Sequence, residues 1–243
     1  MPKRLFTGVS SCIFSLLFLI TSCLKPESSP SKVDQWVEKI ESSINKDAWD
    51  QTNWVSWSFA GRRNYVWDRS TNWVELKFEN YKIVFPVDSF ELGYVFLKDS
   101  LVEGENRLEI LEGGYGAFCN DSFWLNAPSK LKDPGVELGI KDTLNQEFLS
   151  VSYTSGGVTP GDTYFWETSE NGLPSGFYMN TQILTSPWVY ASWENYDTIS
   201  SGAIISTLHL IDNNPLTMEK VYGGDSFESL LLKEDPFKPF RSR

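Results

Sequence analysis

The chain has 243 residues, of which 41% are hydrophobic and 15% aromatic, and its 32 acidic residues outnumber its 21 basic residues. The formal net charge of −11 at pH 7 argues against a nucleic-acid-binding protein, because an acidic surface repels phosphates. One histidine and three cysteines in the whole chain are too few for the usual zinc-binding clusters.

The first 22 residues are organised like an export signal. Basic residues at positions 3 and 4 precede a mostly apolar stretch, residues 5–20, which falls short of the ~20 apolar residues of a membrane-spanning helix. It leads into Ile20-Thr21-Ser22-Cys23, which resembles the lipobox of bacterial lipoproteins, where a peptidase cuts before a lipid-modified cysteine. We therefore predict cleavage after residue 22 and a lipid anchor on Cys23, because two or three acyl chains hold a protein stably on a bilayer. An ordinary signal peptide or an uncleaved helix is the alternative.

Removal of this leader changes the charge and the cysteine content of the chain. Loss of residues 1–22 leaves 19 basic against 32 acidic residues, a net charge of −13. Cys12 leaves with the leader and Cys23 carries lipid, so only Cys119 remains as a thiol and no intramolecular disulfide is possible. Residues 23–32 are polar with two prolines and predict a flexible tether, and residues 33–243 predict a single β-rich domain that depends on its hydrophobic core.

The residues next to Cys23 also predict a location. Leu24 follows the cysteine, where an aspartate would signal retention in the inner membrane, and residues 24–26 contain no acidic cluster that would direct export to the cell surface. We therefore expect the protein to be lipid-anchored to the outer membrane and to face the periplasm.

The predicted domain starts with a helix and continues with short strands. Trp36, Val37, Ile40 and Ile44 recur at helical spacing after Asp34, with charged residues between them. From residue 54 onward the hydrophobic period changes to two, which is typical of half-buried strands. We predict strands at residues 54–59, 65–67, 74–78, 82–87, 92–97, 107–111, 148–153, 163–167, 176–182, 188–193, 203–210 and 216–222.

Turn-forming clusters such as Gly113-Gly114, Gly156-Gly157 and Asn171-Gly172 separate these strands. A second helix is predicted at residues 226–232, and residues 120–135 predict a short helix and a loop that cross the sheet. The expected fold is mostly β (α+β). It consists of one large, curved antiparallel sheet or unclosed β-barrel of about eleven or twelve strands, covered by a few helices.

The aromatic residues fit three roles. Ten tryptophans, ten tyrosines and 16 phenylalanines can fill a wide core, line a ligand cavity inside a curved sheet, or stack on sugar rings where they face solvent. Strand alternation places Trp54 on the face opposite Trp57, where we expect it to pack under the helix that carries Trp36. The predicted cavity lining is Trp57, Val55, Phe59, Trp67 and Trp73.

No residue set in the sequence predicts catalysis, a cofactor or a metal site. His209 is not accompanied by a Gly-x-Ser-x-Gly motif, so we interpret it as structural or solvent-facing. Glu167, Glu170 and Glu194 lie among aromatic residues, as glycosidase carboxylates do, but 32 acidic residues make such neighbours common by chance. Residues 212–214 lack the spacing of a calcium loop, and the glycine-rich segments 113–116 and 156–161 lack the lysine of a phosphate loop.

Two segments resemble motifs of a known group of proteins. Residues 120–135 contain the pattern NDxxWLxxPxKLxDxG, and residues 155–164 contain GGVTPGDxY, followed by Gly172-Leu173-Pro174. With residues 54–59 and Tyr65-Val66-Trp67-Asp68, they are similar to uncharacterised Gram-negative lipoproteins that look like the LolA/LolB lipoprotein-carrier superfamily. Over about residues 36–210, the resemblance implies an unclosed antiparallel β-barrel of about eleven strands, with helices over its open side. It also implies an apolar interior that binds or transfers acyl chains. Because soluble LolA-type carriers lack a lipid anchor, Cys23 places this chain nearer the LolB-like acceptors.

The leading hypothesis is a non-enzymatic, membrane-tethered protein that binds or transfers a hydrophobic ligand, such as a lipid or lipoprotein acyl chain, in an apolar cavity. Its expected partners are the lipid bilayer, through the Cys23 anchor, and that ligand. A carbohydrate-binding or glycan-processing lipoprotein is one alternative, and a structural or interaction lipoprotein with a filled core is another. The volume and the lining of the interior distinguish the three.

Overall fold

The structure is a computed structural model that describes residues 29–241 except 157, 159 and 182–187. The predicted leader, Cys23 and most of the predicted tether lie outside these residues. In the described part, helices α1 to α4 span Lys32–Ser43, Lys46–Gln51, Glu105–Asn126 and Lys238–Arg241. Strands β1 to β14 span Trp54–Phe59, Arg63–Asp68, Trp73–Phe78, Tyr81–Pro86, Tyr94–Leu97, Ser100–Leu101, Val136–Thr143, Gln146–Tyr153, Thr163–Thr168, Pro174–Asn180, Val189–Ser192, Glu194–Thr198, Ile204–Ile211 and Asn214–Gly224. Short 3₁₀ helices lie at Val87–Leu92, Ala127–Lys130 and Phe227–Leu230.

The described strands form one large antiparallel sheet of 14 strands that does not close. Strands β1 to β6 follow one another outward to one edge, and α3 then carries the chain across to the opposite edge, β7. The later strands return toward β1, and β14 pairs with β1 so that the first and last strands meet in the middle of the sheet. Strand β12 pairs with β13 beside this path. The edges are therefore β6 and β7.

Helix α3 lies on the inner face of the sheet and contacts both halves of it. The Phe118 ring packs against Trp57 and Phe85, with ring centroids 6.3 and 6.1 Å apart. One turn and a half further on, Trp124 packs against Phe177 and Trp193, at 5.6 and 6.5 Å. Because one helix meets β1 and β4 as well as β10 and the residue after β11, the sheet must curve around α3. The largest buried cluster is formed at this contact.

The C-terminal residues cover part of the outer face. Trp54 lies in a second buried cluster with Val84, Leu230 and Phe237, and its ring stacks on Phe237 with centroids 5.7 Å apart. The expectation that Trp54 packs under the helix of Trp36 is therefore wrong. The hydrophobic residues of the C-terminal segment cover this face of β1 instead, whereas α1 buries Val37 and Ile40 in the main core.

Most of the predicted elements agree with the structure. The amphipathic helix after Asp34 is α1, and eleven of the twelve predicted strands match observed strands to within a few residues, with residue 182 of one lying outside the described part. The predicted helix at residues 226–232 is a 3₁₀ turn. Strands β6, β7 and β12 were not predicted, so the sheet has 14 strands rather than about eleven or twelve. The prediction of a large, unclosed antiparallel sheet with a few helices is confirmed.

The segment after β6 is where the sequence prediction is wrong. Residues 107–111 were predicted as a strand and Gly113-Gly114 as a turn, but both belong to the 22-residue helix α3. Glycine inside a helix costs about 1 kcal/mol relative to alanine, so local preference argues against this helix. Tertiary packing overrides it, because a Cβ at Gly114 would lie only 2.9 Å from Ile83 Cδ1, and the glycine lets α3 lie directly on β4. Among the described helices, none is both long enough and apolar enough to cross a membrane.

Candidate ligand cavity

A cavity of about 860 Å³ lies at one end of the curved sheet. This volume is within the range of about 300–1,000 Å³ that is usual for small-molecule pockets. Its floor is the C-terminal half of α3, and its wall is formed by the ends of several strands and the loops that follow them. The described lining residues are Phe59, Arg63, Gly116, Ala117, Cys119, Asn120, Ser122, Phe123, Trp124, Lys130, Asp133, Pro134, Val136, Tyr153, Ser155, Gly156, Val158, Asp162, Tyr164, Met179, Thr181, Ile211 and Leu216.

The two motif segments meet at this cavity, although they are far apart in the sequence. Of the 23 described lining residues, seven come from residues 120–135 and five from residues 155–164. The first segment is the end of α3 and the chain that leads to β7, and the second is the loop from β8 to β9. The motifs therefore build the floor and one wall of the same site.

Aromatic rings dominate the part of the wall nearest α3. Phe123 packs on Tyr164 with ring centroids 4.8 Å apart, and Tyr153 contacts both rings edge-on at 5.9 and 5.7 Å. Met179 and Leu216 add aliphatic surface from β10 and β14. Such a lining removes apolar ligand surface from water, which is favourable by ~25 cal/mol per Å².

The floor helix is fixed to the sheet by a buried ion pair. The Asp121 carboxylate on α3 is fully buried and accepts hydrogen bonds from Arg63 Nε at 2.6 Å and Nη2 at 2.8 Å. The Tyr65 hydroxyl donates to the same carboxylate at 2.7 Å, and Asn120 Nδ2 donates at 2.9 Å. The hydrogen bond to Asp121 raises the pKa of Arg63, and burial next to this negative charge raises the pKa of Tyr65. Asp121 therefore holds α3 against β2 beside the cavity.

Further polar groups lie around the cavity. Lys130 Nζ lies 3.7 Å from Asp133 Oδ2, and both side chains are partly exposed. Asp162 is buried in the wall. The Cys119 thiol is half-buried, and burial raises its pKa, which favours the protonated thiol.

The five residues that were predicted to line a cavity are divided between three locations. Phe59 lies on the cavity wall. Val55 and Trp57 share its face of β1 but are buried in the main core. Trp57 packs against Phe118 of α3 and stacks on Tyr65, with ring centroids 6.3 and 4.5 Å apart. Trp67 also faces inward and meets Phe118 edge-on at 5.2 Å.

Trp73 does not line the cavity as expected. It lies on the outer face of the sheet and stacks on Phe240, with ring centroids 6.4 Å apart. The reason is the alternation of side chains along β3. Val74 and Leu76 face the main core, so Trp73 must point to the opposite side.

Sequence reasoning missed the floor of the cavity. Gly116, Ala117, Phe123 and Trp124 are on α3, whose helical character was hidden by its glycines. The sequence signal that marks this site is the pair of motifs, because residues of both line the cavity.

The candidate catalytic residues of the sequence are not among the described residues that line the cavity. His209 is fully buried between Trp124 and Trp193, with ring centroids 5.1 and 4.4 Å away, so it has a structural position rather than a solvent-facing one. Burial lowers its pKa to about 4 and keeps the ring neutral near pH 7. Glu167 accepts hydrogen bonds from Gln146 at 2.6 Å and from Tyr190 at 3.2 Å.

Among the described residues, no group of three or more histidine, cysteine, aspartate or glutamate side chains is placed to hold a metal ion. Comparisons with protein-family models, with curated proteins and with solved structures found no match to this chain.

Proposed function

We propose that the protein binds a hydrophobic or amphipathic ligand, such as the acyl chain of a lipid or lipoprotein, in the cavity above α3. The observation that carries this proposal is the cavity of about 860 Å³, walled by the rings of Phe123, Tyr153 and Tyr164. A filled core would leave no such space, which is the reason to prefer ligand binding over a purely structural role. The chemistry is binding without catalysis, because the affinity comes from burial of apolar surface.

The proposal includes a carrier-like fold and a membrane anchor. The motif segments that resemble LolA/LolB-type proteins contribute about half of the described lining, and the sheet is antiparallel and unclosed with a helix inside it. These observations support a relationship to lipoprotein carriers. Cys23 lies eight residues before Ser31, which caps the N-terminus of α1. A lipid on Cys23 would therefore hold the cavity close to the outer membrane, on its periplasmic side.

A substitution on the cavity floor tests ligand binding directly. Gly116 lines the cavity, and a Cβ built on it has no atom within 4 Å, so Gly116→Phe starts a bulky side chain in open space at the cavity floor. We expect the chain from residue 24 onward to bind the neutral fluorescent probe N-phenyl-1-naphthylamine with a negative heat-capacity change, the mark of apolar burial. Gly116→Phe should weaken this binding by about tenfold or more.

Gly113 supplies the matched control. It lies on the same helix with open space around its Cβ, but it is exposed and outside the described lining. Gly113→Phe gains about the same helix propensity as Gly116→Phe and should leave probe binding unchanged. Equal binding by both variants and by the unsubstituted chain would show that the probe does not occupy this cavity, and no probe binding at all would contradict the proposal.

Carbohydrate binding is a second candidate because one tryptophan faces solvent. Trp188 is 40% exposed, and one face of its ring stacks on Phe165 with centroids 4.3 Å apart. A sugar ring can stack on an exposed indole of this kind. If this surface binds glycans, Trp188→Ala will abolish retention on immobilised β-linked glycans while probe binding in the cavity is kept; no retention of the unsubstituted chain would exclude this candidate.

A further inference from the structure

Two hydroxyl groups in the cavity wall have no hydrogen-bond partner among the residues that the structure describes. Tyr153 is the last residue of β8, and Thr181 directly follows β10; both side chains line the cavity. In the described part of the chain, the Tyr153 hydroxyl and Thr181 Oγ1 are buried and accept or donate no hydrogen bond. Buried polar groups are nearly always paired, so each exception calls for a physical explanation.

Three other tyrosine hydroxyls in the described structure have partners. Tyr65 donates to Asp121 at 2.7 Å, Tyr196 donates to the Pro174 carbonyl oxygen at 2.7 Å, and Tyr190 donates to Glu167 at 3.2 Å. The Tyr153 hydroxyl differs from these three because it is unpaired in the cavity wall. Other unpaired buried atoms of the described structure, such as Trp57 Nε1 and Trp166 Nε1, lie in the main core away from the cavity lining.

The strand register places the two hydroxyl residues in one row. Thr163 of β9 pairs with Ser152 on one side and with Asn180 on the other. One position further along the row, Asp162 therefore lies between Tyr153 of the chain after Ser152 and Thr181 of the chain after Asn180. The Tyr153 amide donates to the Asp162 carbonyl oxygen at 3.0 Å. Adjacent strands are ~4.8 Å apart, so the outer two backbones of this row are about 10 Å apart. Asp162 has an interaction of its own, so the open hydrogen-bonding capacity of the row belongs to the two hydroxyls.

We propose that Tyr153 and Thr181 form a polar subsite that binds an uncharged polar group of the ligand, such as an ester or a hydroxyl, while its hydrocarbon part lies against the aromatic wall. This inference rests on the proposed function and narrows the ligand to a neutral amphiphile. Both residues line the cavity while their oxygens are covered, so the subsite requires side-chain rotations of the kind that commonly accompany binding.

The charges around the row favour a neutral ligand group over an anionic one. Asp162 lies in the row itself and Asp133 also lines the cavity, and their carboxylates repel the head of a fatty-acid anion. The two cations of the lining, Arg63 and Lys130, are already paired with the carboxylates of Asp121 and Asp133. Burial and the charge of Asp133 raise the pKa of Tyr153, so its hydroxyl keeps its proton and remains able to donate to a carbonyl oxygen.

The test compares two ligands of equal chain length, methyl octanoate and octane, as competitors of N-phenyl-1-naphthylamine on the chain from residue 24 onward, which contains the whole described fold. Tyr153→Phe and Thr181→Val remove one hydroxyl each and keep the shape of the side chain. We expect each to weaken methyl octanoate binding by about threefold to tenfold and to leave octane binding unchanged. Thermal stability should stay equal or rise, because an unpaired buried hydroxyl is removed.

Control variants have hydroxyls that already have partners. Tyr196→Phe removes the hydrogen bond to Pro174, and Thr52→Val removes the one to the Ala48 carbonyl oxygen at 2.7 Å. Both should lower stability without changing either affinity. If both ligands bind but Tyr153→Phe and Thr181→Val affect neither, the polar subsite is wrong and the proposed cavity binder stands. If neither ligand nor the probe binds, the proposed function itself fails.

Discussion

Arg63 and Asp121 are joined by two parallel hydrogen bonds, of 2.6 and 2.8 Å, between strand β2 and the helix that crosses the inner face of the sheet. The carboxylate is fully buried, whereas the guanidinium side chain keeps 33% of its surface exposed at the cavity. The pair therefore connects the two parts of the structure that the cavity depends on, its floor and its surrounding sheet.

Loss of the negative charge at position 121 is predicted to loosen the floor. Asp121→Asn leaves the Arg63 charge unpaired and replaces one of the two acceptor oxygens by an NH2 donor, so Arg63 and Tyr65 can no longer both keep their hydrogen bonds. The free energy of unfolding should therefore fall by about 2–4 kcal/mol. Urea denaturation measures this change. Lys32→Ala, which breaks an exposed ion pair with Glu147, is the control and should change stability by less than about 1 kcal/mol. A loss for Asp121→Asn as small as that of the control would show that the pair does not hold α3.

A second prediction concerns the contact between α3 and the sheet. A Cβ on Gly93 would lie 2.7 Å from Leu111 Cδ2 and 2.7 Å from the Val84 carbonyl oxygen. Gly93→Ala should therefore destabilise the fold by about 1–3 kcal/mol, because neither the backbone nor the buried leucine can move freely. In contrast, Gly113→Ala meets no atom within 4 Å and should stabilise α3 by up to about 1 kcal/mol. If both substitutions stabilise the protein in urea denaturation, the N-terminal half of α3 does not lie against β4 and β5.

The buried histidine predicts a loss of stability in mild acid. His209 has a pKa of about 4 in the folded chain, below its ordinary value of 6.5, because burial disfavours the charged ring. The unfolded chain therefore binds the proton first, so the stabilisation is complete above about pH 6.5 and is lost progressively as the pH falls toward 4. The total loss is on the order of 3 kcal/mol.

His209→Gln is the comparison for this prediction, because glutamine does not titrate. Urea denaturation between about pH 5 and 6.5 should show a falling stability for the unsubstituted chain and a nearly flat profile for the variant. This window lies above the ordinary pKa values of carboxylates. Parallel slopes in the two proteins would mean that His209 is not buried in its neutral form.

The lipid anchor is tested by mass and by partition. If Cys23 is modified, the mature protein begins at this residue, carries the mass of its acyl chains and enters the detergent phase. Cys23→Ala should abolish these properties, whereas Cys12→Ala, in the leader, should not. A mature protein that retains residues 1–22, or that begins elsewhere without lipid, would contradict the proposed anchor.

Elements whose side-chain pattern is local could be predicted from the sequence. In β3, Val74 and Leu76 alternate with Glu75 and Lys77, and a period of two shows in the sequence whichever strand lies next to it. In α1, Val37 and Ile40 lie one turn apart between charged residues, and the structure buries both. Half-buried elements carry such a pattern because one face meets the core and the other meets water.

Helix α3 carries no such pattern, because side chains on several of its faces are buried. Phe118 meets β1 and β4, while Trp124 meets β10 and the chain after β11, so apolar residues are needed on more than one face of the helix. Gly114 marks a close contact with Ile83 of the sheet. The sequence alone determined that a large antiparallel sheet with a leading helix would form. Only the tertiary structure decided that this helix crosses the inside of the sheet, that Trp57 lies beneath it, and that two distant motifs meet around one cavity. These outcomes depend on contacts between residues far apart in the chain, which no local period records.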